Sequence, residues 1–193
     1  MALTKLNNKA VANVTSIPVA LGDMVLVSSA TASSSASIEF SLGNYKEYKF
    51  FFVNIHPATP AHFQFQSSTD NGSSYGVTLT STACLAYQGE DGSNPTLGYN
   101  TSGDLAQSTS FQRLMRITTD NDNSGSGYLH LFNPASTTYV KHFISNCNEL
   151  NENYTQNEFY GGYFNTTSAL TNIKFQMASG NIDAGKILMF GIN

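Results

Sequence analysis

The chain has few charged residues and no tryptophan. Lys, Arg, Asp and Glu together make up 11% of its 193 residues, against about 25% in typical soluble domains. Ser, Thr, Asn and Gly fill the difference. Uncharged polar groups cost less free energy to remove from water than charged groups do. This composition therefore favours a protein whose exterior becomes an interface with other proteins.

Basic runs, long apolar runs and a recognisable leader are also missing. The net charge is −4, and no cluster of Lys and Arg provides the electrostatic footprint of a nucleic-acid binder. No basic amphipathic helix is visible, and no apolar run approaches the about 20 residues that span a bilayer. The opening MALTKLNNKAVANV lacks the pattern of a signal peptide. We therefore expect synthesis in a host cytoplasm, with no nucleic-acid and no membrane partner.

Cysteine is scarce. Only Cys84 and Cys147 occur, and their separation fits no zinc or redox motif. A disulfide between them is one reading. The favoured reading is two free, mostly buried thiols, since free cysteine is among the most buried residue types.

Motifs of catalysis are missing as well. The sequence contains no G-x-S-x-G elbow, no H-E-x-x-H pair and no phosphate-binding G-x-x-x-x-G-K loop. Ser and Thr are so abundant that a Ser/His/Asp triad would be picked from many chance combinations. We expect no enzymatic activity and no cofactor.

Two groups of residues could hold a metal ion. Residues 120–125 read DNDNSG, like the first half of an EF-hand calcium loop, but its twelfth position is Leu131, where a bidentate Glu is needed. His130 and His142 could face each other across a hairpin centred on residues 133–136, but no third ligand is identifiable. The sequence predicts a polar hairpin loop, surface or interface histidines, and no metal site.

Short runs rich in aromatic and β-branched residues recur at intervals marked by Gly, Asn, Ser and Pro. They predict an all-β fold, an antiparallel jelly-roll-like β-sandwich with little helix. A turn or two of helix is expected only at 5–14 and 148–156. The predicted strands are 24–28, 37–41, 46–55, 61–66, 75–80, 111–118, 128–132, 138–144, 158–164, 172–177 and 186–191, with further strand character at 85–87. The last two are expected to form a hairpin with its turn at 180–185.

Two segments of the predicted sandwich are candidates for contact with other proteins. The run Phe50–Val53 is bulky on both faces, which indicates either a central strand covered by a loop or a strand with one face against another subunit. Residues 88–110 are long for a structureless loop and predict an interaction loop or a short strand. Within this loop, Tyr99 is the best candidate for an interface anchor, because Tyr supplies contact area at low entropic cost.

The N-terminal segment differs from the rest. Residues 1–18 carry apolar side chains scattered among Asn, Lys and Thr, in a spacing close to one helical face, but the segment is too short and polar to fold alone. Pro18 separates it from the predicted body. We therefore expect an N-terminal anchoring arm at 1–18 and a single β-sandwich domain at 19–193. The predicted interface residues of the arm are Leu3, Leu6, Val11, Val14 and Ile17.

The two ends of the chain resemble those of tailed-phage virion proteins. The segment LTKLNN in residues 1–18 is similar to the start of many cyanophage and marine-phage structural proteins. Residues 177–192, MASGNIDAGKILMFGI, are similar to their closing pattern of SGNI, a glycine, an apolar strand and YG[IL]. Ser179–Ile182, Gly185 and Phe190–Ile192 stand at those places. The resemblance is confined to the ends and brings no catalytic residues.

The resemblance implies a bacteriophage virion structural protein, located in the virion. The favoured role is a head decoration, or cement, protein that binds the major capsid protein or another virion protein. A homo-oligomer is expected, with a homotrimer favoured, because virion subunits commonly cover one another's apolar patches. The alternative is a tail-fibre or receptor-binding protein that recognises a host-surface glycan or protein. No heptad stalk is present, which favours the decoration role.

Overall fold

A computed structural model describes residues 23–193 of the chain. This part is all-β and contains no helix, which confirms the predicted fold class. Its strands are β1 (Met24–Thr31), β2 (Ile38–Ser41), β3 (Glu47–Pro57), β4 (Ala61–Ser68), β5 (Leu79–Gly89), β6 (Thr96–Tyr99), β7 (Leu105–Ser108), β8 (Gln112–Ile117), β9 (Gly125–Phe132), β10 (Lys141–Asn151), β11 (Tyr154–Phe164), β12 (Asn172–Met177) and β13 (Ile182–Ile192).

The strands form two antiparallel sheets that pack face to face. One half of the larger sheet has the order β1-β13-β3-β9, and the smaller sheet has the order β2-β12-β4-β8. Successive strands of this set lie in opposite sheets except for β4 and β8, which pair within the smaller sheet, and this arrangement is that of an eight-stranded jelly roll. The jelly-roll character predicted from the sequence is therefore present in the strand order.

The larger sheet continues beyond the jelly roll. The hairpin of β10 and β11 follows β9, and β5 and β6 extend the sheet to its far edge, so that its path is β1-β13-β3-β9-β10-β11-β5-β6, with β7 also paired to β5. Both β10 and β11 have 11 residues and pair along their whole length. The result is a broad sheet, of which only one half is matched by the smaller sheet.

Aromatic side chains fill the space between the two sheets. Phe52 of β3 meets Phe63 of β4 with ring centroids 5.2 Å apart and Phe175 of β12 with centroids 5.3 Å apart. Phe65 extends this cluster to Phe143 of β10 at 5.2 Å. Tilted and edge-on aromatic pairs contribute about 0.5–1.5 kcal/mol each beyond the burial of their area. The core therefore ties the jelly roll to the first strand of the extension.

The predicted C-terminal hairpin is wrong. Strand β12 agrees with its predicted bounds, but it pairs with β2 and β4 in the small sheet, whereas β13 pairs with β1 and β3 in the large one. The strands β12 and β13 lie in opposite sheets of the jelly roll, so their short connection does not make them partners. The connection at 178–181 crosses from one sheet to the other.

Three local expectations also need correction. Residues 148–156 form no helical turn; they are the end of β10, a tight turn and the start of β11. The strand predicted at 75–80 begins only at Leu79, and it runs on through 85–87 as a single strand, β5. The segment 88–110 contains two short strands, β6 and β7, where a loop with at most one was expected.

The predicted N-terminal arm lies outside the described residues. This applies to the boundary between 1–18 and 19–193, to the helical turn considered at 5–14 and to the interface residues Leu3, Leu6, Val11, Val14 and Ile17. All of these stay predictions.

Candidate functional site

The outward face of the large sheet carries a continuous cross-strand row of mostly apolar side chains. Because side chains alternate between the faces of a strand, the positions next to buried ones point away from the core. The strand registers align one such position on each strand from β13 to β6. We call this set the outer row: Leu188, Phe51, Tyr128, Asn146, Phe159, Cys84 and Tyr99.

Neighbouring rows strengthen this apolar character. Leu26, Phe190 and Ile144 lie in the adjacent row, which runs through Lys49 and His130. Ile144 is 51% exposed and Phe159 is 43% exposed. When one face of an antiparallel sheet is exposed to solvent, its strands normally alternate between apolar side chains that face the core and polar side chains that face water. Large apolar side chains in register on the outer face therefore mark an interaction surface.

The structure shows which side chains of the Phe50–Val53 run lie in the core and which lie on the outer face. Phe50 and Phe52 are buried in the core, while Phe51 is half-buried and Val53 is exposed on the outer face. Phe51 has an edge-on contact with Phe190 at 5.6 Å between centroids, and the Lys49 ammonium lies 5.3 Å from the Phe51 ring centroid. The buried Phe50 and Phe52 make β3 a central strand, and both interpretations of its outer face, cover by a loop or contact with another subunit, stay predictions.

Tyr99 lies on β6, at the far end of the outer row, and not in a loop. It is 54% exposed. Its hydroxyl donates a hydrogen bond to Asp104 Oδ2 at 2.8 Å, and this bond raises the pKa of Tyr99. The ring is therefore held in place at the edge of the sheet, with its face free to contact a partner.

A second candidate site is a cleft at one end of the sandwich. It is bounded by the β5–β6 loop, the β10–β11 turn and the edge strand β8, and its volume is about 270 Å³. The Glu90 N–H donates to the Asn153 carbonyl at 2.9 Å, which ties the loop to the turn. We call this the end cleft, and its lining residues are Tyr87, Asn94, Arg116, Asn151, Glu152, Tyr154 and Gln156.

Two buried glutamates lie behind the end cleft without lining it. Glu149 is 1% exposed and Glu158 is 2% exposed. Gln156 Nε2 donates to Glu149 Oε1 at 2.8 Å and to Glu158 Oε1 at 2.7 Å. The Arg116 N–H also donates to Glu149 Oε1, at 3.3 Å, and the Tyr160 hydroxyl donates to Glu158 Oε2.

Burial raises the pKa of Glu149, and the neighbouring charge of Glu158 adds to this effect. A carboxyl group in such a place stays protonated at neutral pH, because a second negative charge so close would be uncompensated. Its Oε2 atom has no hydrogen-bond partner within the described part of the chain. The pair could not be identified from the sequence, because Glu149 lay in the possible helical turn at 148–156 and Glu158 at the start of the predicted strand 158–164, with nothing to indicate that the two side chains meet in the interior.

The chain's arginines lie side by side on β8. Arg113 and Arg116 stand opposite Gln64 and His62 of β4. Burial lowers the pKa of His62 to about 4, and the charges of Arg113 and Arg116 contribute to the shift. His62 is therefore neutral at physiological pH, and the positive charge at this edge of the small sheet comes from the arginines.

The other residues considered from the sequence do not come together. His130 stands opposite Ile144 and not His142; it contacts Glu47 at 2.8 Å, while His142 contacts Tyr163. Both cysteines are free, as the favoured reading expected. Cys147 is buried, but Cys84 is exposed, whereas both thiols were expected to be mostly buried. Between residues 23 and 193, no three His, Cys, Asp or Glu side chains are placed to share a metal ion. The expected absence of a metal site stays a prediction.

Comparison with known proteins assigns the chain to no family. No known protein family matches the chain, and no curated protein sequence is significantly similar to it. In the described residues, no helix is long and apolar enough to cross a membrane.

Proposed function

We propose that this chain is a bacteriophage virion structural protein, a head decoration protein that binds the capsid shell through the outer face of its large sheet. The observation that carries this proposal is the outer row, an apolar band in register across the broad sheet. The resemblance of the chain ends to tailed-phage virion proteins and the jelly-roll strand order, which recurs in viral capsid domains, support it by analogy.

The size of this face fits one side of a stable interface. The sheet path has eight strands, and strand spacings of about 4.8 Å give the face a width of about 34 Å. A strand length of about 24 Å then gives an area of about 800 Å², which is the share of one partner in a standard protein–protein interface. The face is large enough for a specific contact without further surface.

The partner that this face fits is the major shell protein. Among the outward positions of the large sheet that are described, only Glu47, Lys49, Asp183 and Lys186 are formally charged. A low charge density lowers the desolvation cost of laying the sheet flat on another protein. A second copy stacked on the same face would give a twofold dimer, whereas we expect the homo-oligomer to be a trimer.

The test is a pair of polar substitutions on the outer face. We expect the double variant Ile144→Ser/Phe159→Ser to lose occupancy on particles assembled from the shell protein, because both exposed side chains lie at the centre of the face. Co-sedimentation with particles that lack this chain measures occupancy. The control is Tyr139→Ser, which changes a 70% exposed aromatic residue in the β9–β10 connection.

Full occupancy of the double variant would contradict the proposal. Light scattering of the free protein tests whether the outer face instead forms a dimer between two copies of this chain. A mass of twice 20.9 kDa that falls to the monomer mass in the double variant would assign the face to a dimer. A mass of three times 20.9 kDa in both forms is the expected result. Mass spectrometry of purified virions tests whether the chain is a virion component.

A further inference from the structure

The end cleft carries hydrogen-bonding groups that have no partner in the described chain. Asn151 is only 6% exposed and lines the cleft, and its side-chain amide makes no hydrogen bond to a described residue. Its amide atoms are not among the fully buried polar atoms that lack a partner, so they are accessible to water or to a ligand in the cleft. The Arg116 guanidinium also lines the cleft without an acidic partner among residues 23–193.

The buried glutamate pair fixes the orientation of a further group in the cleft. Both carboxyl groups accept hydrogen bonds from Gln156 Nε2. The amide nitrogen of Gln156 therefore points inward, and its carbonyl oxygen is left as an acceptor on the cleft side. A group held in this way loses little entropy when a ligand binds. The pair thus acts as a support for the cleft and not as a reacting group.

Aromatic rings and opposite charges complete the lining. Tyr87 and Tyr154 form a tilted pair with ring centroids 6.0 Å apart. Arg116 and Glu152 supply one positive and one negative charge. The cleft therefore offers aromatic faces, donors and acceptors together, with no net charge.

We propose that the end cleft binds a neutral saccharide, one hexose ring at a time. A hydroxyl group both donates and accepts hydrogen bonds, so vicinal hydroxyls match an amide, a guanidinium and a carboxylate placed side by side. The C–H face of the sugar ring packs on the tyrosine rings, whose hydroxyl ends stay polar. The volume of about 270 Å³ lies at the lower end of the roughly 300–1,000 Å³ of small-molecule sites, which fits a single ring.

This binding site does not depend on the proposed decoration role. A charged ligand fits less well, because Glu152 would face an anion and Arg116 would face a cation. The carboxyl groups of Glu149 and Glu158 are buried behind Gln156 and reach no ligand. The site therefore binds a sugar without cleaving it.

Saturation-transfer NMR with the full chain tests the proposal. The probes are glucose, galactose and N-acetylglucosamine, each also as an oligosaccharide (maltotriose, lactose and chitotriose), with N-acetylneuraminic acid and inorganic phosphate as charged probes. We expect at least one neutral sugar to bind with a Kd on the order of 1 mM. Tighter binding of its oligosaccharide would indicate a polymer as the source, and equal binding would indicate a free sugar.

Substitutions of residues that line the end cleft test whether the sugar binds there. We expect Tyr154→Ala and Asn151→Ala each to weaken binding at least about tenfold, while Tyr139→Ala, at the opposite end of the sheet, leaves it unchanged. Arg116→Gln changes an exposed side chain of the cleft and takes the place of Asn151→Ala in this test if that variant does not fold. Binding of no neutral sugar, binding of the charged probes alone, or unchanged binding in Tyr154→Ala and Arg116→Gln would overturn the proposal. The Ile144→Ser/Phe159→Ser variant should keep its sugar affinity, which separates this site from the outer face.

Discussion

At the scale of single residues, the least expected feature is a protonated carboxyl group in the interior. Glu149 and Glu158 occupy inward positions on β10 and β11, where the jelly-roll half of the sheet carries aromatic residues. The smaller sheet does not extend fully over this part, and the polar side chains there bond mainly to one another. Such networks hold a unique geometry only when their groups are satisfied, and Glu149 Oε2 is left without a partner among residues 23–193.

The raised pKa of Glu149 makes the stability of the protein depend on pH. Below the ordinary glutamate pKa of 4.5, the Glu149 carboxyl group is protonated in both the folded and the unfolded states. As the pH rises above that value, the unfolded chain releases its proton while the folded chain keeps it, so the free energy of unfolding falls. Glu149→Gln keeps an oxygen to accept the bonds from Gln156 and Arg116. It should therefore be more stable than the parent at pH 8, by on the order of 2 kcal/mol, and equal to it near pH 4.5.

Urea denaturation between pH 4.5 and pH 8 measures this difference. The control is Glu152→Gln, which removes an exposed carboxylate from the neighbouring turn and should leave the pH dependence unchanged. A Glu149→Gln variant that is less stable than the parent at pH 8 would show that the buried group is ionised.

At the scale of strands, a bulge in β13 explains a glycine of the C-terminal motif. Gly185 has φ of 116°, and a Cβ atom there would lie 2.7 Å from the Asn54 carbonyl oxygen and 2.8 Å from Ile55 Cα. The register between β3 and β13 shifts on both sides of Ala184. Only glycine combines this backbone conformation with so close an approach of β3.

We expect Gly185→Ala to lower the free energy of unfolding by about 2 kcal/mol or more, because the added methyl group meets backbone atoms that cannot move aside. Chemical denaturation measures the change. Gly98→Ala on β6 is the matched control, since a Cβ atom there meets nothing within 4 Å, and its effect should stay within about 0.5 kcal/mol. Equal effects of both substitutions would contradict this role of the bulge.

Strands with alternating or aromatic patterns could be predicted from the sequence, but their partners could not. Strand β12 was predicted with its bounds correct, because Ile173, Phe175 and Met177 alternate with polar residues. The end of β10 and the start of β11 were missed because their inward positions are polar, so the residues around Glu149 lacked a strand pattern and were interpreted as a possible helical turn. The outer row depends on the register of seven strands, and only Tyr99 and Phe51, the latter within the run Phe50–Val53, were identified as contact candidates from the sequence.

At the scale of the whole molecule, the described body has the eight strands of a jelly roll. Within residues 23–193, β1 begins at Met24 in register with Ile192 of β13. The core that joins the sheets is formed by residues such as Phe52, Phe63 and Phe175. Because these described residues pack against one another, we expect the body to fold without residues 1–17, and attachment and folding can be tested separately.

Deleting residues 1–17 tests the predicted anchoring arm. We expect the truncated protein to keep a β-type circular dichroism spectrum and its melting temperature, but to lose incorporation into particles, because the apolar residues of the arm are expected to be buried on the shell. Full-length protein with serine at Leu3, Leu6, Val11, Val14 and Ile17 should fail in the same way. Full occupancy of the truncated protein would mean that the outer face alone holds the chain on the particle. Failure to fold would instead make the segment part of the core and move the domain boundary to its start.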